Sequence, residues 1–461
     1  MKKVVVPCVF NRSPRSTDNG IILAGSGLRY LRMQPLTQAH PEGSLGTISP
    51  AGTRPSTIAF VEAGTADGGS ISWLLSALKY LDRRRFEPLI IFYYAARGAT
   101  VEKIRALGVP MHFASTESPE YFPTWLQIRP RPWPLRKCVT LCRIAYRFLL
   151  RDVPITRAVR RHLRERRVAV VVLNSDLHFQ YCGALAARLE KIPILCRKSG
   201  GIQEGLRWKK LLTPFVDVFV PVSKLAEKDQ LANPSTKRSV LVYEGVDMSL
   251  YPARRKNPAL RSILGLPENK KIVTSVARLE AGKGQAELLE AAVRVIQEFP
   301  EVMLLIVGEE NPPNGPNTFY LHRSVSRLGL ANHVVFAGGR GDVPDLLAIT
   351  DVFVHCPTTW IEGLGICQLE AMASGKPSVI SKNGGLPETA IDGVTALVVP
   401  PGDIAAMSAA ILRFLRNPEL ARQFGQAARA RAEELFDIAA NNTVYEDLLQ
   451  ELASRQARER K

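Results

Sequence analysis

Long apolar runs are missing from this sequence. No stretch reaches the ~18 residues that a membrane-spanning helix needs, so no spanning segment is expected. Cysteine pairing patterns are missing too. The seven cysteines (Cys8, Cys138, Cys142, Cys182, Cys196, Cys356 and Cys367) form no CxxC pair and no Cys/His spacing that would hold zinc. Their odd count and the chain length argue against a disulfide framework, so most are expected to be small core residues. No internal repeat is evident. Acidic residues are in short supply, with 43 Asp and Glu against 61 Lys and Arg, a net charge of +18. Such a field favours anionic partners: nucleotide-linked substrates, nucleic acid or an anionic membrane face. The basic start MKKVVVPCVFNRSPRST has a brief apolar run before Asn11 and Arg12. That is a poor secretory leader, and a cytoplasmic protein is expected.

What is present is enough apolar material for two cores: 461 residues, 46% of them hydrophobic. Residues 1–55 are rich in Gly, Pro, Ser and Arg without a sustained period, and read as a weakly ordered extension. From Ser56 the pattern changes. STIAFVE, PLIIFYY, VAVVVLNSD, IPILCRKSGG and DVFVPVS are continuous apolar runs that end in polar or glycine residues. Helical patterns such as AVRRHLRERR and GALAARLE separate them. That alternation marks parallel strands buried on both faces. A second series follows Tyr243: KKIVTSVARL, VMLLIVGEE, HVVFAGG, DVFVHC, PSVIS and ALVVPPGD. The reading is α/β: two doubly wound, Rossmann-like halves in tandem, facing one cleft. The domains are 56–240 and 241–430, with a break near Leu241–Asp247. Residues 431–461 form a C-terminal helix packing back toward the first domain, with a polar tail after Leu452 that frays.

Ligands of open α/β sheets sit outside the carboxyl ends of strands. Three stretches there carry chemistry. In TTWIEGLGICQLEAMASGKPSVISKNGGLPE, Thr358–Glu388, a strand delivers a glycine turn and then a helix starting near Ile366. Gly363 and Gly365 let backbone N–H groups approach an anion at the helix N-terminus. Glu370, one turn into the helix, suits a ribose diol. Glu362, in the turn, reaches a sugar hydroxyl beyond the phosphates. Both glutamates would equally suit the positive end of an ordinary helix. In SVARLEAGKG, Arg278 and Lys283 flank a glycine turn, either to stabilise a leaving diphosphate or as solvated surface cations. In EAGTADGGS, Gly68 and Gly69 precede a helix that Ser70 would cap.

With Glu362 and Glu370 eight apart, followed by AMASGKP and NGGLPE, the chain resembles the retaining group 1 glycosyltransferases, the family 4 type of the GT-B fold. SVARLEAGKG, LLIVGEE, HVVFAGG and VPPGD stand in that family's order and spacing. The resemblance runs over roughly residues 241–420, more loosely over 56–240, and not over 1–55. It implies that Arg278 and Lys283 hold the donor diphosphate, capped by the backbone of Gly363, Leu364, Gly365 and Ile366. It further implies that Glu370 holds the ribose and Glu362 the donor sugar, with the base near Val335–Gly338. Gly69 would face the cleft from the other side. Family members often carry a histidine where this chain has Ser199 or a neighbour. A second falls near Asp176, two positions from His178, which becomes the candidate catalytic histidine. No D-x-D triad is present. No metal and no cofactor are therefore expected.

Residues 129–167 hold 13 Lys or Arg against two acidic residues. Leu135, Val139, Cys142, Tyr146 and Leu149 recur at helical spacing, with Arg136, Lys137, Arg143, Arg147 and Arg151 around them. Flanked by Trp125 and Trp133, this suits either an anionic membrane surface or a packed helix with a solvated basic face. No nucleic-acid recognition motif accompanies the charge. The expected activity is transfer of a sugar from a UDP- or GDP-sugar to a glycan or lipid-linked acceptor in polysaccharide or lipopolysaccharide synthesis. The enzyme would sit on the cytoplasmic, inner face of a membrane. The alternatives are a sugar-nucleotide epimerase of related fold and a non-catalytic sugar-nucleotide-binding protein.

Overall fold

The computed structural model describes residues 54–460, except 64–68, 96–98, 116–132, 201–206, 253–257 and 311–314. Arg54–Lys461 form one compact unit. The extension at 1–55 lies almost wholly outside the described residues, as do Cys8, Gly68 and Trp125.

Two six-stranded parallel sheets build the unit. The first joins β1 (Ser56–Glu62), β2 (Phe86–Phe92), β3 (Met111–Phe113), β4 (Val170–Leu173), β5 (Ile194–Lys198) and β6 (Val218–Pro221). Their order is β3-β2-β1-β4-β5-β6. The second joins β7 (Lys271–Val276), β8 (Val302–Val307), β9 (Val334–Gly338), β10 (Val352–His355), β11 (Ser378–Ser381) and β12 (Leu397–Val399), in the order β12-β11-β10-β7-β8-β9. These are the same doubly wound topology, so the chain is of the α/β class with two Rossmann-like sheets. The central strand positions are mostly apolar because both faces are covered, as in β8, which is buried at all six positions. In β1, Ile58 and Phe60 enter one core while Ala59 and Val61 enter the other. The sequence reading lacked β3, a three-residue, half-buried edge strand with too few apolar positions to signal itself.

The chain crosses between the halves twice, and the crossings are bonded to each other. Val246 N donates to Phe436 O at 2.8 Å, and Ile438 N donates to Val246 O at 3.1 Å. The helix Ile438–Glu459 then lies on the first sheet. Its Tyr445, Leu448, Leu449 and Leu452 share a core with Ile58, Phe60 and Trp73. Each such leucine contributes about 1.5–3 kcal/mol by burial. The tail expected to fray stays helical to Glu459, because Gln456 is buried and Arg455 pairs with Asp217 at 2.5 Å.

The basic stretch is one helical run. Trp133–Arg147 passes through a π-helical turn, Phe148–Asp152, into the helix Val153–Glu165. The last part is anchored by buried Ile155, Val159 and Leu163. Further toward the N-terminus, Leu141, Phe148, Leu149 and Leu150 are 65, 49, 61 and 64% exposed. Cys138 and Cys142 are exposed as well, against the expectation of core cysteines, whereas Cys182, Cys196 and Cys356 are buried.

Candidate active site

In this topology the winding direction reverses between β1 and β4, and again between β7 and β10. A crevice opens there at the carboxyl ends of the strands. In the second sheet the loop after β7 carries Arg278 to Gly284, and the loop after β10 carries Cys356 to Gly365. Thr358 N donates to Gly282 O at 2.8 Å, which ties the two loops together. Gly365 ends the second loop at φ +99°, a left-handed conformation that glycine adopts without strain, and the helix Ile366–Ala373 starts there. The first N–H groups of that helix have no intrahelical partner and carry partial positive charge. At Gly363 a Cβ would lie 2.0 Å from the Ser199 carbonyl, so only glycine allows the two halves to touch at this point.

Glu362 is 9% exposed, and Lys283 donates to its Oε1 at 2.6 Å. Burial alone would raise the Glu362 pKa, but His355 and Lys283 outweigh it and bring it down to about 2. The Glu362 backbone is held on both sides: its N–H meets Asn383 Oδ1 at 3.3 Å, and its carbonyl accepts from Gly385 N at 2.9 Å. Trp360 stacks under two cations, with Lys283 Nζ 4.4 Å and the Arg278 guanidinium 5.3 Å from its ring centre. Arg278, the more exposed of the two, also meets Glu280 at 2.5 Å. Glu370 accepts from the Tyr251 hydroxyl at 2.9 Å, and burial raises its carboxyl to about 7. Leu364 is buried beneath the turn. Thus Arg278, Lys283, Glu362, Gly363, Gly365 and Ile366 share one edge, with Glu370 along the same helix.

The first crevice is built differently. Glu62 ends β1 and accepts from Asn174 at 2.6 Å and from Gln180 at 3.4 Å. Lys198, at the end of β5, lies between Asp176 at 3.4 Å and Asp229 at 3.0 Å. His178 is the second residue of the helix Leu177–Leu189, its ring 3.9 Å from that of Phe179. Gly69 is the first residue of the helix Gly69–Tyr80, so Ser70 lies inside the helix rather than capping it. The Ser70 carbonyl instead accepts from Asn174 at 3.1 Å. Between the halves, Glu388 accepts from Lys224 N and Leu225 N at 2.7 and 2.9 Å, capping the helix Lys224–Leu231 from across the cleft.

The sequence reading missed Trp360, His355, Asn383 and Tyr251. Trp360 stood inside the quoted motif, two residues before Glu362. Tyr251 is 119 residues from Glu370 and carried no local signal.

Residues 256–431 match the family model of group 1 glycosyl transferases. Over 193 residues the chain is 37% identical to the GDP-mannose-dependent alpha-(1-6)-phosphatidylinositol monomannoside mannosyltransferase of Mycolicibacterium smegmatis, covering 40% of this chain and 49% of that protein. It is 28% identical over 249 residues to a lipopolysaccharide core biosynthesis mannosyltransferase of Rhizobium meliloti, covering 52% of this chain and 69% of that protein. The chain thus spans only about half the length of the first of these curated relatives. In fold it resembles Anabaena HepE, solved with UDP and glucose, at a TM-score of 0.69 and 23% identity, covering 85% of this chain and 98% of that one.

Proposed function

We propose that this chain, whose residues 256–431 belong to the group 1 glycosyltransferases, moves a sugar from a nucleoside diphosphate to an acceptor in its first crevice, retaining the anomeric configuration. One observation carries the reading. Lys283 and Arg278 converge on Trp360 beside Glu362, at the switch point of the second sheet and at a helix N-terminus. A diphosphate entering there competes for both cations and meets the backbone N–H groups from Gly363 to Ile366. Glu370, with one oxygen on Tyr251, offers the other to the ribose. Glu362 binds a hydroxyl of the donor sugar. As the sugar–phosphate bond breaks, charge grows on the leaving diphosphate, and Lys283, Arg278 and the helix N-terminus stabilise it electrostatically. The acceptor hydroxyl attacks from the face the diphosphate leaves and passes its proton to a donor phosphate oxygen. With two cations and a helix end in place, the reaction runs without a metal, and activity should survive EDTA.

The acceptor is membrane-linked in this reading. No helix among the described residues is long and apolar enough to cross a membrane. The run Trp133–Asp152 instead exposes Leu141, Phe148, Leu149 and Leu150 among arginines. Each basic side chain near an anionic leaflet adds about 1 kcal/mol, giving reversible, salt-sensitive attachment on the cytoplasmic face. Co-sedimentation with anionic vesicles at low salt is expected, with loss at high salt and in Leu149→Asp. Equal, negligible binding to neutral and anionic vesicles contradicts the attachment.

The donor is a UDP- or GDP-sugar. A thermal-shift screen against UDP, GDP, ADP and their sugars, followed by product analysis with membrane extract, tests the transfer. Donor hydrolysis without an acceptor separates turnover from binding alone. An α-linked donor that yields a β-linked product contradicts retention.

A further inference from the structure

His355 ends β10 with its side chain 1% exposed. Neither ring nitrogen makes a well-aligned hydrogen bond, and the ring's close polar neighbours are Glu362 and Cys367. A buried imidazole left so is costly, and its placement calls for a cause. Nε2 faces Glu362 Oε1 at 3.3 Å, and Lys283 holds that same oxygen at 2.6 Å. One buried carboxylate oxygen therefore stands between two groups able to carry positive charge.

We infer that His355 is a positioning residue that takes over the Glu362 carboxylate when a nucleoside diphosphate draws Lys283 away. The inference rests on the reading of Glu362 as the contact to the donor sugar. A diphosphate carries enough charge to compete for Lys283. Glu362 would then be a buried anion without its cation, and such a group takes up a proton or turns away. An imidazolium 3.3 Å off fills the gap without entering the space of the ligand. Burial opposes charge on His355, but Cys367 and Glu362 draw its pKa up to about 10. The titratable groups facing it are Glu362 in the loop, Cys367 on the helix Ile366–Ala373 and, through Glu362, Lys283 from the loop after β7. Cys356 turns away, its thiol donating to Val379 O at 3.6 Å. The exchange keeps Glu362 ionised and aimed at the sugar while Lys283 serves the phosphates.

The test is an imidazole nitrogen NMR titration of the full chain, with His355 assigned by His355→Gln. In the wild type the ring should stay protonated well above neutral pH, and added UDP or GDP should hold it there. In Glu362→Gln its midpoint should fall by about one pH unit or more, roughly tenfold in proton affinity. A ring titrating at the ordinary histidine value in both proteins overturns the inference. In the kinetic arm, His355→Gln should lose about tenfold in kcat, with its acid limb moved to higher pH and KM for the donor near wild type. Wild-type kcat with an unmoved limb overturns the inference. Should His355→Gln fail to fold, the ring is assigned by through-bond correlation to its own backbone, and the Glu362→Gln titration still decides. Should the wild type transfer no sugar, the transfer reading fails, while the titration still reports on the pair.

Discussion

The two crevices share a topology and differ in what their side chains do. At the second, cations and carboxylates converge on a short segment: Lys283 on Glu362, and both Lys283 and Arg278 on Trp360. At the first, polar groups pair across the sheet, Glu62 with Asn174 and Gln180 and Lys198 with Asp176 and Asp229, while Asn174 Oδ1 and Gln180 Oε1 have no hydrogen-bond partner among the described residues. The second crevice is arranged so that an anion can replace existing partners. The first is a paired network with two buried amide oxygens left over, which can accept from a hydroxyl. A donor with fixed, heavy charge fits the second, and an uncharged hydroxyl fits the first.

That contrast breaks most sharply at Lys283. Lys283→Ala removes a charge-assisted contact of about 1.5–3 kcal/mol and leaves Glu362 with His355 alone. Calorimetry should show nucleoside diphosphate binding weakened by about 10- to 100-fold. Arg278→Ala, at the more exposed cation, should cost less. Wild-type affinity in both variants would erase the distinction between the crevices.

Glu370 gives the next largest effect. Its carboxyl is raised to about 7 in the folded chain against an ordinary 4.5. The native state thus binds the proton more tightly than the unfolded chain does. The stability it contributes is fully present below 4.5 and is lost as pH rises through 7. Glu370→Gln keeps an acceptor for Tyr251 and no charge. Urea unfolding should give near-equal stability at acid pH, and at pH 8 a variant more stable by on the order of 2 kcal/mol. Equal stability at pH 8 would make Glu370 an ordinary solvated acid.

The smallest effect belongs to the first crevice. Asp176→Asn leaves Lys198 with Asp229 and should leave donor binding unchanged. A weakened acceptor contact, about 0.5–1.5 kcal/mol, should appear as a severalfold higher acceptor KM. A loss of donor binding would show that the two crevices are not separable.

The same contrast explains what the sequence made legible. The residues proposed to hold the donor lie within two short stretches, because glycine turns and a helix end, the devices that would grip a diphosphate, are local features of the backbone. Eleven of the strands were readable because each carries a short run of apolar residues, continuous in Val302–Val307, where every position is buried. β3 was not, since three half-buried residues carry no period. Tyr251, Glu388 and Lys198 act on partners far along the chain, and only tertiary pairing brings them to the cleft. His355 looked like the end of an apolar strand, and Glu362 gives it meaning only in three dimensions. Cys138 and Cys142 misled for the opposite reason: both lie on an exposed stretch of helix.

The central claim is that a nucleoside diphosphate lands between Arg278 and Lys283. Trp360, which both cations overlie, reports on it directly. Tryptophan fluorescence should be followed while UDP, GDP and ADP are titrated into the wild type and into Trp360→Phe, with calorimetry to confirm that the variant still binds. The account predicts a saturable change with UDP or GDP in the wild type that disappears in Trp360→Phe. An undiminished change in Trp360→Phe, or no binding of any of the three nucleotides by the wild type, would contradict it.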